Sequence, residues 1–162
     1  MNDNEIIKMM DARYALFGLF FAFNNRLQTV GDMFYDEITC KQFFLLACMN
    51  LYTKEPPTAN ELAKTMGTSR QNVKEILLSL EKKDIIYFGK DAKDKRKRPI
   101  YLTEKTKQIA EKYTQKETEF INCLYSGISE EEVKIVYSVI SKMEDNLKIT
   151  EEGLKNENSG NL

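Results

Sequence analysis

The sequence predicts a mainly α-helical chain carrying one small β-hairpin. Apolar residues recur at helical spacing through most of its length. Three hydroxyl-x-x-acid/amide boxes mark helix starts: Thr58-Ala59-Asn60-Glu61, Thr68-Ser69-Arg70-Gln71 and Ser129-Glu130-Glu131-Glu132. Only Ile85-Ile86-Tyr87-Phe88 and Ile100-Tyr101-Leu102 read as strands, being β-branched and aromatic between polar stretches.

In chain order, residues from about 5 to 30 read as a long helix without proline, apolar on nearly every face from Tyr14 to Phe23. A helix apolar all round has to be covered all round, by a partner subunit or by the rest of its own chain. A second helix is expected from about Thr39 to Tyr52, with Phe43, Leu46, Ala47 and Leu51 inward, ended by Pro56-Pro57. Residues 58 to 83 read as two short helices around a tight turn. The first buries Leu62, Ala63 and Met66; Gly67 closes it in the left-handed region; the second buries Val73, Ile76, Leu77 and Leu80. The two strands then flank a polar, densely charged loop, with Pro99 tolerated at a strand start. Thr103 to about Leu124 is a further helix, mostly polar until Phe120. The last helix opens at Ser129, with three acidic residues suited to the helix dipole and Val133, Val136, Tyr137 and Ile140 inward. Residues 151–162 are polar and expected to be disordered.

Composition removes several function classes. The chain has 162 residues, enough to bury a core without disulfides or metals, and a net charge of -1. It has no histidine, so Ser-His-Asp and Cys-His catalysis and the commonest metal ligand are gone. No phosphate-cradling glycine loop, nucleophile–base pair or metal-spaced ligand cluster is visible, so neither an enzyme nor a cofactor or metal is expected. The three cysteines, Cys40, Cys48 and Cys123, form no CxxC pair and read as thiols in a reducing cytosol. The N-terminus lacks the basic stretch of a leader, and the apolar run Ala15–Phe23 is too short to span a bilayer; a cytoplasmic chain without a membrane partner is expected.

Helix, helix, tight turn, helix and charged hairpin is the order of a winged helix-turn-helix, whose second helix lies in the DNA major groove with its first residues at base edges. Here that helix opens Thr68, Ser69, Arg70, Gln71, Asn72, with Lys74 placed near a phosphate. Arginine can bond guanine bidentately, and Asn or Gln adenine. A polar helix start is by itself an ordinary solvated end. The charge placement tips the balance: residues 90–98 hold six basic residues against two acidic, and residues 68–98 hold ten against five, in a chain whose total is -1. Such a patch attracts a polyanion by releasing its counterions.

From Ile38 to Leu147 the order and spacing resemble the multiple antibiotic resistance regulator (MarR) family, most densely over residues 58–104. Asn60-Glu61-Leu62-Ala63 followed by Gly67-Thr68-Ser69-Arg70 is similar to its helix-turn-helix, and Leu80-Glu81-Lys82-Lys83 before Ile85-Ile86 to the exit from its recognition helix. Family wings run Asp-x-x-Asp-Arg-Arg, three residues, an aliphatic, one residue, Leu-Thr; Asp91, Asp94, Lys95, Arg96, Ile100, Leu102 and Thr103 fall at those spacings. Asp84 stands where the family often has glycine, Glu75 where it often has arginine, and Lys95 loses an arginine's planar fork.

The resemblance implies a winged helix-turn-helix over 38–103, flanked by dimerisation helices at 1–37 and 104–150. It implies a homodimer that binds a pseudo-palindromic double-stranded DNA operator as a transcription regulator. Lys93, Asp94, Lys95, Arg96, Lys97 and Arg98 would form the DNA-binding wing, with Arg96 entering the minor groove and Asp94 holding it. Many members lose DNA affinity when a small aromatic or phenolic ligand binds, so a repressor released by its effector is expected. Tyr14, Phe17, Phe21, Phe43 and Phe44 are candidates to line the ligand cleft, with plain core packing as the other reading. Two alternatives stay open. One is an oxidation-sensing regulator switched by Cys40 or Cys48, with Cys40 near a helix start that could lower its pKa. The other is a winged-helix module that binds protein.

Overall fold

The computed structural model describes residues 11–90, 94 and 97–159. They form six helices and one two-stranded antiparallel sheet: α1 (Ala12–Asp32), α2 (Cys40–Met49), α3 (Ala59–Thr65), α4 (Arg70–Lys82), β1 (Ile86–Phe88), β2 (Ile100–Leu102), α5 (Glu104–Leu124) and α6 (Glu130–Ser159). Contacts divide the chain into two units, one up to Phe120 and one from Ile121 onward.

The first unit is built on α2, α3 and α4. The Thr39 hydroxyl accepts from Gln42 N while Gln42 reaches back to Thr39 N, and Thr58 and Glu61 make the same reciprocal pair; each box satisfies two amides a helix start leaves unpaired. Gly67 ends α3 at φ 62°, and Thr68 N donates to Ala63 O across the turn. At α4 the structure differs from the expected box: Ser69 is the N-cap and accepts from Asn72 N, while the Gln71 side chain is used elsewhere. Leu45, Leu62, Val73, Leu77, Leu80, Ile85, Ile86 and Ile100 are almost wholly buried and form the centre of the core.

The hairpin pairs Ile86 with Leu102, Tyr87 with Tyr101 and Phe88 with Ile100. It is pinned at two further points, where Ile100 N donates to the Pro57 carbonyl and Gly89 N to the Pro99 carbonyl. Gly89 is needed there, since a Cβ would come within 2.4 Å of the Tyr101 ring. That ring is stacked on Tyr87 at 5.1 Å, so it has little room to yield.

Asp84 leaves α4 at φ 56°, the left-handed turn expected of it. Its carbonyl accepts from the Thr103 hydroxyl, which ties the exit to the start of α5. Glycine adopts this backbone without the steric cost that a Cβ adds. Asp84→Gly is therefore expected to leave the fold intact and to raise the urea midpoint, by about 0.5–1 kcal/mol of stability.

Several boundaries move. α1 ends at Asp32, and the part of the expected helix before residue 11 lies outside the described residues. α2 is shorter than expected and turned: Ala47 and Leu51 face solvent, while Gln42, Leu45, Leu46, Cys48 and Met49 are buried. α5 is not merely polar before Phe120; Thr106, Ile109 and Tyr113 are buried along one stripe. The segment from Glu151, expected to be disordered, continues α6 as helix to Ser159. Its composition carries the i,i+4 pair Glu151–Lys155 and an apolar Leu154, which helix formation can use.

In the second unit, Ser129 caps α6 in the expected box with Glu132. Val133 is half-buried, but Val136, Tyr137 and Ile140 are exposed in the single chain. On α1, Tyr14, Phe17, Leu19 and Phe21 are likewise exposed.

Candidate nucleic-acid interface

Helix α4 has two unlike faces. Val73, Leu77 and Leu80 are fully buried and Ile76 partly so, which fixes the rotation of the helix about its axis. The opposite stripe, at i, i+4, i+7 and i+11, is Gln71, Glu75, Leu78 and Lys82, all exposed. At the start of the helix Ser69, Arg70, Asn72 and Lys74 are also exposed, and Thr68 is half-buried, its hydroxyl 3.1 Å from Asn72 Nδ2. Five of the six predicted recognition residues thus face solvent, and the sixth orients a neighbour.

Glu75, Leu78 and Lys82 were not among the predicted contact residues. The signal that finds them is the periodicity itself: they sit opposite the apolar stripe, whereas Lys74 flanks it. Leu78, 41% exposed, offers the outward face an apolar group of the kind that meets a thymine methyl.

A buried amide holds this helix in place. Gln42 Nε2 donates to Ser79 Oγ at 2.9 Å, and Gln42 Oε1 accepts from Thr39 N at 3.0 Å and from Lys83 Nζ at 3.1 Å. Lys83 Nζ donates further to the Glu37 carbonyl, and Lys105 Nζ to the Lys83 carbonyl. The end of α4 is so tied to α2, to the loop before α2 and to α5. Among the described residues no buried side-chain polar atom lacks a partner.

In the wing, Lys93, Lys95 and Arg96 lie outside the described residues, so the minor-groove role that the resemblance gives Arg96 lies there too. Asp94, Lys97 and Arg98 are exposed, and Asp94 O accepts from Lys97 N at 3.0 Å. The Arg98 guanidinium lies 4.6 Å over the Phe88 ring, a cation–π contact that ties the residues before β2 to the end of β1.

Residues 38–97 match the model of the MarR family. The chain is similar to S. aureus MepR, solved in complex with DNA: 28% identity, 79% of this chain and 95% of that one covered, TM-score 0.71. Its fold is also shared by a MarR/EmrR family transcriptional regulator from Acinetobacter sp. ADP1 (16% identity, 86% and 99% covered, TM-score 0.74). A MarR protein from Peptoclostridium difficile shares it as well (19% identity, 86% and 90% covered, TM-score 0.73).

The first unit holds a cavity of about 440 Å³, within the size range of small-molecule sites. Ile38, Phe43, Leu46, Leu102 and Ile109 line it, with Glu104, Lys107 and Glu117 as charged groups. Of the five predicted pocket aromatics, only Phe43 is there; it stacks on Tyr35 at 5.1 Å. Tyr14, Phe17, Phe21 and Phe44 are exposed, Phe17 and Phe21 meeting edge to face. Sequence reasoning picked aromatics by type. The cavity is walled instead by aliphatics of α2, β2 and α5 that only the fold brings together.

The expected activation of Cys40 by a helix start is not what this chain builds. Burial pushes the Cys40 thiol upward and the Asp32 carboxylate adds to it; burial alone pushes Cys48 upward. Both changes work against the thiolate that oxidant sensing needs. Cys123 is exposed.

Proposed function

We propose that this chain is a MarR family regulator, a cytoplasmic transcription repressor that binds a pseudo-palindromic DNA operator as a homodimer and is released by a small-molecule ligand. The observation that carries the reading is α4. Its inner face is locked into the core, its polar start, Ser69 to Asn72 with Lys74, is left in solvent, and the hairpin sequence that follows it in the chain is strongly basic. Arg70 suits a guanine edge, while Lys74, Lys82 and the basic wing residues suit phosphates. MepR, 28% identical, has been crystallised with DNA.

The uncovered apolar residues supply the reason for a second copy. Phe17, Leu19 and Phe21 on α1, and Val136, Tyr137 and Ile140 on α6, are surfaces that a monomer leaves wet. No described helix is long and apolar enough to cross a membrane, which leaves a like chain as the natural cover. The cavity beside Phe43 is the place we assign to the effector: Ile38, Phe43, Leu46, Leu102 and Ile109 give it apolar walls, and its cation, Lys107, is held by Glu104 at 2.8 Å.

The test is fluorescence anisotropy with duplexes taken from the DNA flanking the gene, read at 50 and 200 mM salt. Binding is expected to fall about 10³-fold or more across that range if six or more phosphates are contacted. An unrelated duplex should bind at least about a thousandfold more weakly at the higher salt. Equal affinity for every duplex at both salts would rule the reading out.

A further inference from the structure

We propose that the cavity of the first unit takes a lipophilic cation, with Glu117 meeting its charge and Phe43 its apolar part. This rests on the reading that the cavity is the effector site. The charged groups in its lining are Glu104, Lys107 and Glu117, a net of one negative charge. They are not equivalent. Lys107 Nζ donates to Glu104 Oε2 at 2.8 Å, so the lysine's charge is already balanced. Glu117 forms no hydrogen bond or ion pair among the described residues. An entering ligand therefore meets one unbalanced charge, and that charge is a carboxylate.

The uncharged groups point the same way. The hydroxyl hydrogens of Thr103, Thr106 and Thr114 go to backbone carbonyls, so what these lining oxygens have left is lone pairs. Asn50 offers both a donor and an acceptor, and Lys107 keeps further hydrogens within its neutral pair. Neither adds uncompensated positive charge. Phe43 brings an aromatic ring, whose face attracts cations and disfavours anions. Tyr35 stacks on that ring at 5.1 Å. Burial raises the Tyr35 phenol, and Cys40 and then Glu117 add to the rise, so the field of the Glu117 carboxylate reaches the aromatic end of the cavity. A carboxylate or phenolate ligand would enter against that field.

The experiment titrates tetraphenylphosphonium and tetraphenylborate, ions of one shape and opposite sign, into the full chain by calorimetry. The phosphonium is expected to bind about tenfold more tightly than the borate at low salt. Glu117→Gln should narrow that ratio about three- to fivefold, and Lys107→Gln should widen it by uncovering Glu104. Both side chains are exposed, and circular dichroism melting checks that the variants fold as the parent does. Ala47→Trp puts a large ring into the cavity from a lining residue that faces solvent, and should abolish binding. Borate bound as tightly as phosphonium, a ratio that Glu117→Gln leaves unchanged, or phosphonium binding that survives Ala47→Trp would each overturn the assignment. Phosphonium that binds through Glu117 without loosening the chain from its operator duplex keeps the ligand class and overturns the effector reading. Binding of neither ion overturns both.

Discussion

Replacing Lys95, Arg96, Lys97 and Arg98 together by alanine is expected to abolish operator binding at physiological salt while the chain stays folded. Lys97 and Arg98 are exposed, and the hairpin is held by features the substitution spares: the β1–β2 pairing, the Tyr87–Tyr101 stack and the Ile100-to-Pro57 hydrogen bond. The packing lost is the Arg98–Phe88 contact, worth about 0.5–1 kcal/mol at an exposed site. The electrostatic loss is far larger. Each phosphate contact contributes about 0.9 to the slope of log affinity against log salt, so four lost contacts flatten it by roughly 3–4. Affinity at 0.15 M salt should fall on the order of a hundredfold or more. Anisotropy titrations over a salt series read both quantities. A variant that binds as tightly as the parent, with the same slope, removes the wing from the interface.

The largest effect on stability is expected at Tyr113. Its side chain is 1% exposed, and its hydroxyl accepts from Asp36 N at 2.9 Å and Glu37 N at 3.1 Å, 77 and 76 residues away in sequence. Its ring meets Tyr35 edge to face at 5.0 Å, and Lys112 and Lys116 lie over it while reaching Asp36. Tyr113→Ala opens a cavity and is expected to cost about 3–5 kcal/mol. Tyr113→Phe keeps the ring and strands two amides, for about 1–3 kcal/mol. Urea unfolding of the two variants separates the contributions. Equal midpoints for Tyr113→Phe and the parent would mean that water satisfies those amides as well as the phenol does. The ion pairs around them, Lys112 with Glu37 and Asp36, are exposed and add little.

Much of this fold was legible because its local signals agree with one another. Thr58, Gly67 and the Val73–Leu77–Leu80 stripe each define part of the helix-turn-helix without help from distant residues, and the two short strands stand out by composition. The misses have common causes. Ala47 and Leu51 were expected inside because α2 was read four residues too long, so its apolar face was assigned from the wrong end. The burial of Gln42 depends on Ser79 and Lys83, about forty residues on, and no window of neighbouring residues contains that information. The same holds for Tyr113, whose polar neighbours made α5 look solvated. Four of the five candidate aromatics lie outside the cavity of the first unit, because aromatic type does not tell where three elements meet. The N-cap at Ser69 rather than Thr68 moved one residue, and with it Gln71 passed from backbone capping to holding Glu75.

The Gln42 bonds carry a mechanical consequence. Ser79 sits on the last turns of α4 and Lys83 caps it, and Gln42 sits at the opening of α2, so the two helices are joined by a two-point staple as well as by apolar contact. Tilting α4 by itself would strip partners from a buried amide, which costs more than sliding a hydrophobic surface. Each reading head therefore moves as a rigid block. In the proposed homodimer, a ligand would switch off such a block more cheaply by changing the distance between two heads than by bending either one, because paired half-sites recur only once per turn of the duplex, about 34 Å.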